Sequence, residues 1–192
     1  MRPQISPQPG QHTEASPGHL QRLPAEPRRR RFNAVIETPK GSRNKFTYEP
    51  DIGAFRLGKQ LPAGAVFPFD FGFIPSTRSA DGDPLDVVVL LDSPTFPGCV
   101  VRVRLVGVIE ATQTDRSGRR VANPRLLGIA TKSLEHRPIK KVRDLPPQLL
   151  DELAHFFVSY NAAAGKRFNP TAPAGRKRAR QLVREMAARR TR

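Results

Sequence analysis

Asp81-Gly82-Asp83-Pro84-Leu85-Asp86, running directly into Val87-Val88-Val89-Leu90-Leu91, is the stretch on which the reading of this chain turns. Three carboxylates fall within six positions. Gly82 permits a tight backbone and Pro84 fixes φ, so the segment is a turn that holds its acids together as the chain enters a buried strand. Carboxylates gathered this closely repel and raise one another's pKa unless a cation neutralises them. An all-oxygen cluster suits the hard ions Mg²⁺, Mn²⁺ or Ca²⁺ better than zinc. The plain alternative is a solvated acidic surface turn. An EF-hand loop starting at Asp81 fits worse, because Leu85 would then take a ligand position and Asp86 would stand where that loop needs glycine.

Outward from this turn, the sequence from Phe32 onward consists of short apolar runs punctuated by Pro and Gly. Phe32 to Glu37, Lys45 to Glu49, Ala54 to Leu57, Phe67 to Ile74, Leu85 to Leu91, Cys99 to Glu110 and Leu126 to Thr131 read as strands. In the Val100 to Val106 stretch, Val101, Val103 and Leu105 share one side while Arg102 and Arg104 share the other, the period of a half-buried strand with a basic second face. So many strands before any helix predict a barrel or strongly curved sheet. Helical spacing begins only at Leu149, Leu150, Leu153, Phe156, Phe157 and Tyr160, after the start signal Asp144-Leu145-Pro146-Pro147 and before the stop at Gly165. A weaker helix is expected from about Gly175 to Ala188, where Ala179, Leu182, Val183 and Met186 form a thin apolar stripe amid Arg.

The 192 residues suit one domain, and 38% hydrophobic content with 26% charge reads as globular. A single cysteine, Cys99, excludes an intrachain disulfide and fits a reducing compartment. No apolar stretch approaches the length of a membrane span and the first 31 residues lack the apolar core of a signal peptide, so a cytoplasmic protein without membrane contact is expected. The net charge of +16 would suggest a nucleic-acid binder, but residues 1 to 31 carry +4 and residues 166 to 192 carry +9, leaving only +3 on the body between them. Residues 1 to 31 are therefore expected to be a disordered basic arm, 32 to 168 the folded domain, and 169 to 192 a basic C-terminal tail with helical character.

The acidic turn followed by a valine strand resembles the signature of soluble family I inorganic pyrophosphatases. Further matches in order and spacing are Ala34-Val35-Ile36-Glu37-Thr38-Pro39, Asn44-Lys45-Phe46, Gly53-Ala54-Phe55-Arg56-Leu57, Phe67 to Pro75, Lys140 to Pro146 and His155-Phe156-Phe157. The resemblance implies a mainly β fold with some α, an OB-like five-stranded barrel with flanking helices. It also implies Mg²⁺-dependent hydrolysis of pyrophosphate to phosphate, with Mn²⁺ as an alternative ion, and a homo-oligomer, commonly a hexamer. Carried over by position, Asp81 and Asp86 would be metal ligands, Asp83 the general base, and Glu37 an outer metal residue acting through water. Lys45, Lys59, Arg125 and Lys166 would bind phosphate, Tyr160 would donate a hydrogen bond to it, and Asn123 would be a neutral metal ligand.

The pattern is broken in places. Thr47 stands where the family has glutamate, Lys59 where it has arginine, and Phe67 and Phe71 where it has tyrosines. Gln113, Asn123 and Arg125 replace two aspartates and a lysine, and Asn161 replaces the lysine after Tyr160. Asp115 would supply one missing aspartate if the loop is realigned. These substitutions predict weakened metal binding. Two functions compete: a pyrophosphatase with reduced activity, or a non-catalytic relative that binds an acidic partner or nucleic acid through its basic ends.

Overall fold

The computed structural model describes residues 18–190. Its strands are β1 (Phe32–Thr38), β2 (Asn44–Glu49), β3 (Ala54–Gln60), β4 (Asp70–Ile74), β5 (Leu85–Leu90), β6 (Val100–Ile109), β7 (Ala111–Thr114), β8 (Arg120–Ala122), β9 (Arg125–Ala130), β10 (Arg167–Pro170) and β11 (Ala174–Gly175). Its helices are α1 (His19–Arg22), α2 (Pro147–Ala162) and α3 (Arg176–Arg190). Strands β1, β4, β5, β9 and β6 pair in that order, and β6 pairs back to β1, closing a five-stranded barrel. Every junction is antiparallel except β5 with β9. Closure leaves no barrel strand with an unpaired edge, which an open sheet of this size would expose.

The strands β5 and β9 are nearly unbroken aliphatic runs because both faces are covered. On one face Val87, Val89 and Leu126 pack with Val103, Leu105 and α3; on the other Val88, Leu90, Leu127 and Ile129 pack with Leu153 and Phe157 of α2. Burying such a side chain stabilises by about 1.5–3 kcal/mol. A close backbone approach occurs at Gly72 in β4, where a Cβ would lie 1.9 Å from the carbonyl oxygen of Val35 in β1. Only glycine fits there. Helix α2 opens with Pro147 in its first turn, where the missing N–H costs nothing. Its exit is marked by Gly165 at φ +69°, in the left-handed region.

Two expected boundaries are corrected. The segment 169–190 is not a tail: Ala179, Leu182, Val183 and Met186 of α3 are buried against β6 and the barrel core. The thin stripe suffices because β6 presents Val103, Leu105 and Val108 to receive it. Nor is the whole of 1–31 a loose arm. Leu20 and Leu23 pack against Val35, Tyr48 and Phe73, and the Asn33 amide donates to the Pro24 carbonyl at 3.0 Å. The expected disorder of residues 1–17 lies outside the described residues. Among the described residues no helix is long and apolar enough to cross a membrane.

Candidate active site

The turn between β4 and β5 is anchored from below. The Thr77 hydroxyl, 4% exposed, donates to the Ile74 carbonyl at 2.6 Å and accepts from the Leu85 N–H at 2.9 Å. Above it, Ser79 N–H donates to the Asp83 carbonyl at 2.7 Å and Gly82 turns back at φ +98°. This scaffold turns Asp81, Asp83 and Asp86 into one cup of about 350 Å³. Strand β1 brings Glu37 to the same cup, β2 and β3 bring Lys45 and Lys59, and β9 brings Arg125. Asn123 and Gln113 line it from the β7–β8 hairpin and the turn after it, and Tyr160 and Lys166 close it from the end of α2. The ten residues to which the resemblance gives metal, phosphate or proton-transfer roles therefore line one cup.

Three pairings organise the cup. Lys45 Nζ lies 2.6 Å from Glu37 Oε2, while Glu37 Oε1 accepts the Tyr48 N–H at 2.9 Å, so both oxygens of Glu37 are engaged. Arg125, 4% exposed, brings Nη1 to 2.5 Å from Asp86 Oδ2 and also donates to Asn123 Oδ1. The Asn123 Nδ2 donates in turn to Gln113 Oε1 at 3.0 Å. Both ends of the amide of Asn123, expected from the sequence as a neutral metal ligand, have protein partners, and its oxygen faces a guanidinium. The rings of Phe71, Phe157 and Phe168 surround that guanidinium at 5.8, 5.2 and 5.3 Å. Phe71 also faces Lys45 Nζ at 5.2 Å, so the ring face supports two cations.

Lys59 Nζ sits 3.6 Å from the Tyr160 ring centroid. Burial, and then the like charges of Lys166 and Lys45, hold the Lys59 amine below its usual range. Tyr160 combines packing with site placement, since its ring also meets Phe67 and Phe156 at 5.6 and 5.9 Å. Burial and the nearby Asp86 push its phenol up to about 12, so the hydroxyl keeps its proton and is a donor at neutral pH. Burial pushes Asp86 up to about 6 despite Arg125 and Lys45, because its carboxylate sits on the cup floor although 26% of the side chain is accessible. Asp83 is raised by burial and then by Asp81 and Glu37, with Lys166 and Lys45 opposing.

These shifts are the mark of carboxylates with too little compensating charge, and an all-oxygen set in that state fits a hard divalent cation. Asp81, Asp83 and Asp86 are the residues available for it. Asp115 is not: it lies outside the cup, where its Oδ1 accepts from Ser117 N, Ser117 Oγ and Arg119 N at 2.9, 2.6 and 3.0 Å and caps the β7–β8 turn. Elsewhere, Asp92, Glu135 and His136 offer ligand atoms within 4.8 Å of one another. Asp92 is already committed to that loop, accepting from Ser133 Oγ and from Leu134 N at 2.8 Å. Gln21 and Tyr48 line the cup without having been singled out as site residues. Only the pair Leu20 and Leu23 in a polar arm hinted that Gln21 would be held near the body.

Residues 34–191 match the family model described as inorganic pyrophosphatase. An inorganic pyrophosphatase of Synechocystis sp. is 40% identical over 141 residues, covering 73% of this chain and 80% of the relative. One from Halalkalibacterium halodurans is 35% identical over 158 residues, covering 82% and 94%. The crystal structure of inorganic pyrophosphatase from Thermus thermophilus superposes with a TM-score of 0.81 at 36% identity, covering 90% of this chain and 99% of that one. A match that runs from the first barrel strand through α3, on a site that gathers the acidic turn and its facing cations, shows that this chain belongs to the inorganic pyrophosphatase family.

Proposed function

We propose that the chain hydrolyses inorganic pyrophosphate to two phosphates with Mg²⁺, or Mn²⁺ in its place. The observation that carries this reading is the convergence in one cup of the acidic turn with Lys45, Lys59, Arg125 and Lys166. Pyrophosphate needs both kinds of charge, because its phosphoryl oxygens must be neutralised while water attacks phosphorus. Asp81 and Asp86 would hold the divalent ion, whose chemistry would be to neutralise phosphoryl charge and to lower the pKa of the attacking water. Asp83 takes the proton of that water, a role its raised pKa suits, since a base nearer neutrality is the stronger acceptor. As the bridging P–O bond breaks, the lysines and Arg125 bind the departing phosphate and Tyr160 donates a hydrogen bond to it. Glu37 acts in this chain chiefly by holding Lys45 in place.

The test is phosphate release from pyrophosphate by the purified protein with excess Mg²⁺ or Mn²⁺. Chelator should abolish it, and Asp83→Asn should slow it by roughly 10²–10⁴ with the fold unchanged. Absence of metal-dependent release above background overturns the enzyme reading.

A further inference from the structure

The basic face of β6 that alternates with Val103 and Leu105 takes no part in the cup. It contributes instead to a second cavity of about 480 Å³, a size suited to small ligands. Nine residues line it; five are Arg31, Arg104, Lys132, Arg137 and Lys140, and none is acidic. Among the described residues none of the five has an ion-pair partner. Arg104 Nη1 is buried without a hydrogen-bond partner. A buried guanidinium N–H left unmatched costs free energy that an incoming anion would recover.

The cavity is built rather than incidental. Ser133, 2% exposed and part of its lining, donates to Asp92, and His136 N donates back to Ser133 Oγ at 3.0 Å. Asp144 Oδ2 accepts from the Lys140 and Lys141 N–H groups at 2.8 and 3.1 Å, and Lys140 Nζ donates to the Arg137 carbonyl at 2.7 Å. The loop carrying Lys132, Arg137 and Lys140 is thus pinned before any ligand arrives, which lowers the ordering cost of binding. Burial and then Arg31 and Arg176 pull Arg104 below its usual range, with Asp144 only partly offsetting them. The charges at this place repel one another.

The site is separate from the cup. Strand β9 begins with Arg125 in the cup and ends with Ala130 in the second cavity. Five strand steps of about 3.3 Å put those residues roughly 16 Å apart, too far for one small molecule to touch both.

We propose that this cavity is a binding site for a small polyanion with linked phosphates, held by Arg104 at its base and by Arg31, Lys132, Arg137 and Lys140 around it. Linked phosphates match five cations better than a single phosphate does, and the pocket is too small for a nucleic-acid duplex. The proposal does not depend on hydrolysis in the cup.

The experiment is titration calorimetry of the full chain in chelator, so that no turnover intervenes, with inorganic triphosphate as the probe. Inorganic phosphate, pyrophosphate and a nucleoside triphosphate serve as separate arms that distinguish the anion's source. Arg104→Gln with Lys132→Gln should weaken one class of triphosphate site by about tenfold or more, while Lys45→Gln with Lys59→Gln leaves that class intact. Arg137→Gln with Lys140→Gln, on the exposed loop, repeats the test if the Arg104 variant does not fold. The proposal is overturned if a single class of site disappears with the cup variants and is untouched by both cavity variants. It is equally overturned if the cavity variants change the molecular mass in solution without changing triphosphate affinity, because the cavity is then a contact between copies of the chain.

Discussion

Arg125 Nη1 lies 2.5 Å from Asp86 Oδ2, and the same nitrogen donates to Asn123 Oδ1. A permanent, buried cation thereby occupies the wall of the cup that faces the acidic turn. The amides of Asn123 and Gln113 are paired with each other beside it, so that wall has hydrogen-bonding capacity but no negative charge. The carboxylates lining the cup are those of Asp81, Asp83 and Asp86 in the turn and of Glu37 on β1.

Restoring one carboxylate should therefore do little by itself. Asn123→Asp places its new charge against Arg125, and the resulting ion pair should hold the gain in Mg²⁺ or Mn²⁺ affinity to about threefold or less. Combined with Arg125→Gln, the same change should tighten metal binding by at least about tenfold. Titration calorimetry compares the two. A full gain in the single variant would show that Arg125 does not shield the position.

The pH dependence of the metal-free protein follows from Asp86. Its folded pKa, about 6, lies above the ordinary 3.8, so the folded state keeps a proton that the unfolded chain releases first. The stabilisation is complete below about pH 4 and is lost as pH rises to about 6. In chelator, the melting temperature of the wild type relative to Asp86→Asn should fall across that window. Added Mg²⁺ should reverse the fall above pH 6, where it selects the ionised carboxylate. A flat difference between the two proteins would show that burial does not raise this group.

Gly72→Ala tests the barrel closure. A methyl group 1.9 Å from the Val35 carbonyl oxygen must push β4 away from β1, because the atoms it meets are backbone rather than the end of a flexible side chain. Destabilisation should reach or exceed the upper end of the roughly 1–3 kcal/mol usual for overpacking. Urea denaturation measures it. Gly118→Ala, with open space around its Cβ, is a control for backbone strain alone, because that glycine also sits at positive φ, +84°.

Truncation separates the two parts of the N-terminal region. Removing residues 1–17 should leave the melting temperature within a few degrees. Removing 1–31 strips Leu20 and Leu23 from Tyr48 and Phe73 and takes away the Pro24 and Ala25 carbonyls that accept from Asn33. The two leucines alone are worth on the order of 2–4 kcal/mol at partial burial. The longer deletion should also disturb the cup, since Gln21 and Tyr48 both line it.

The sequence by itself determined the five barrel strands, β2, β3, the helix α2 and the acidic turn, because each is written in local terms, whereas the short strands β7, β8, β10 and β11 left no such pattern. Alternation of apolar and polar residues sets a strand's faces, and Gly82 with Pro84 sets a turn, whatever lies across from them. It also supplied, through resemblance, the residues that meet in the cup. Only the tertiary structure decided which of their polar atoms are free. Arg125 and Gln113 take both ends of the Asn123 amide, and Lys45 and the Tyr48 N–H hold Glu37. Asp115 is as acidic as the turn residues yet caps a hairpin outside the site. The thin stripe of α3 and the leucines of α1 could not reveal their burial either, because whether a few apolar side chains are enough depends on the surface that distant strands present to them. Hydrogen-bond partners and packing faces are long-range facts, and a local pattern carries no record of them.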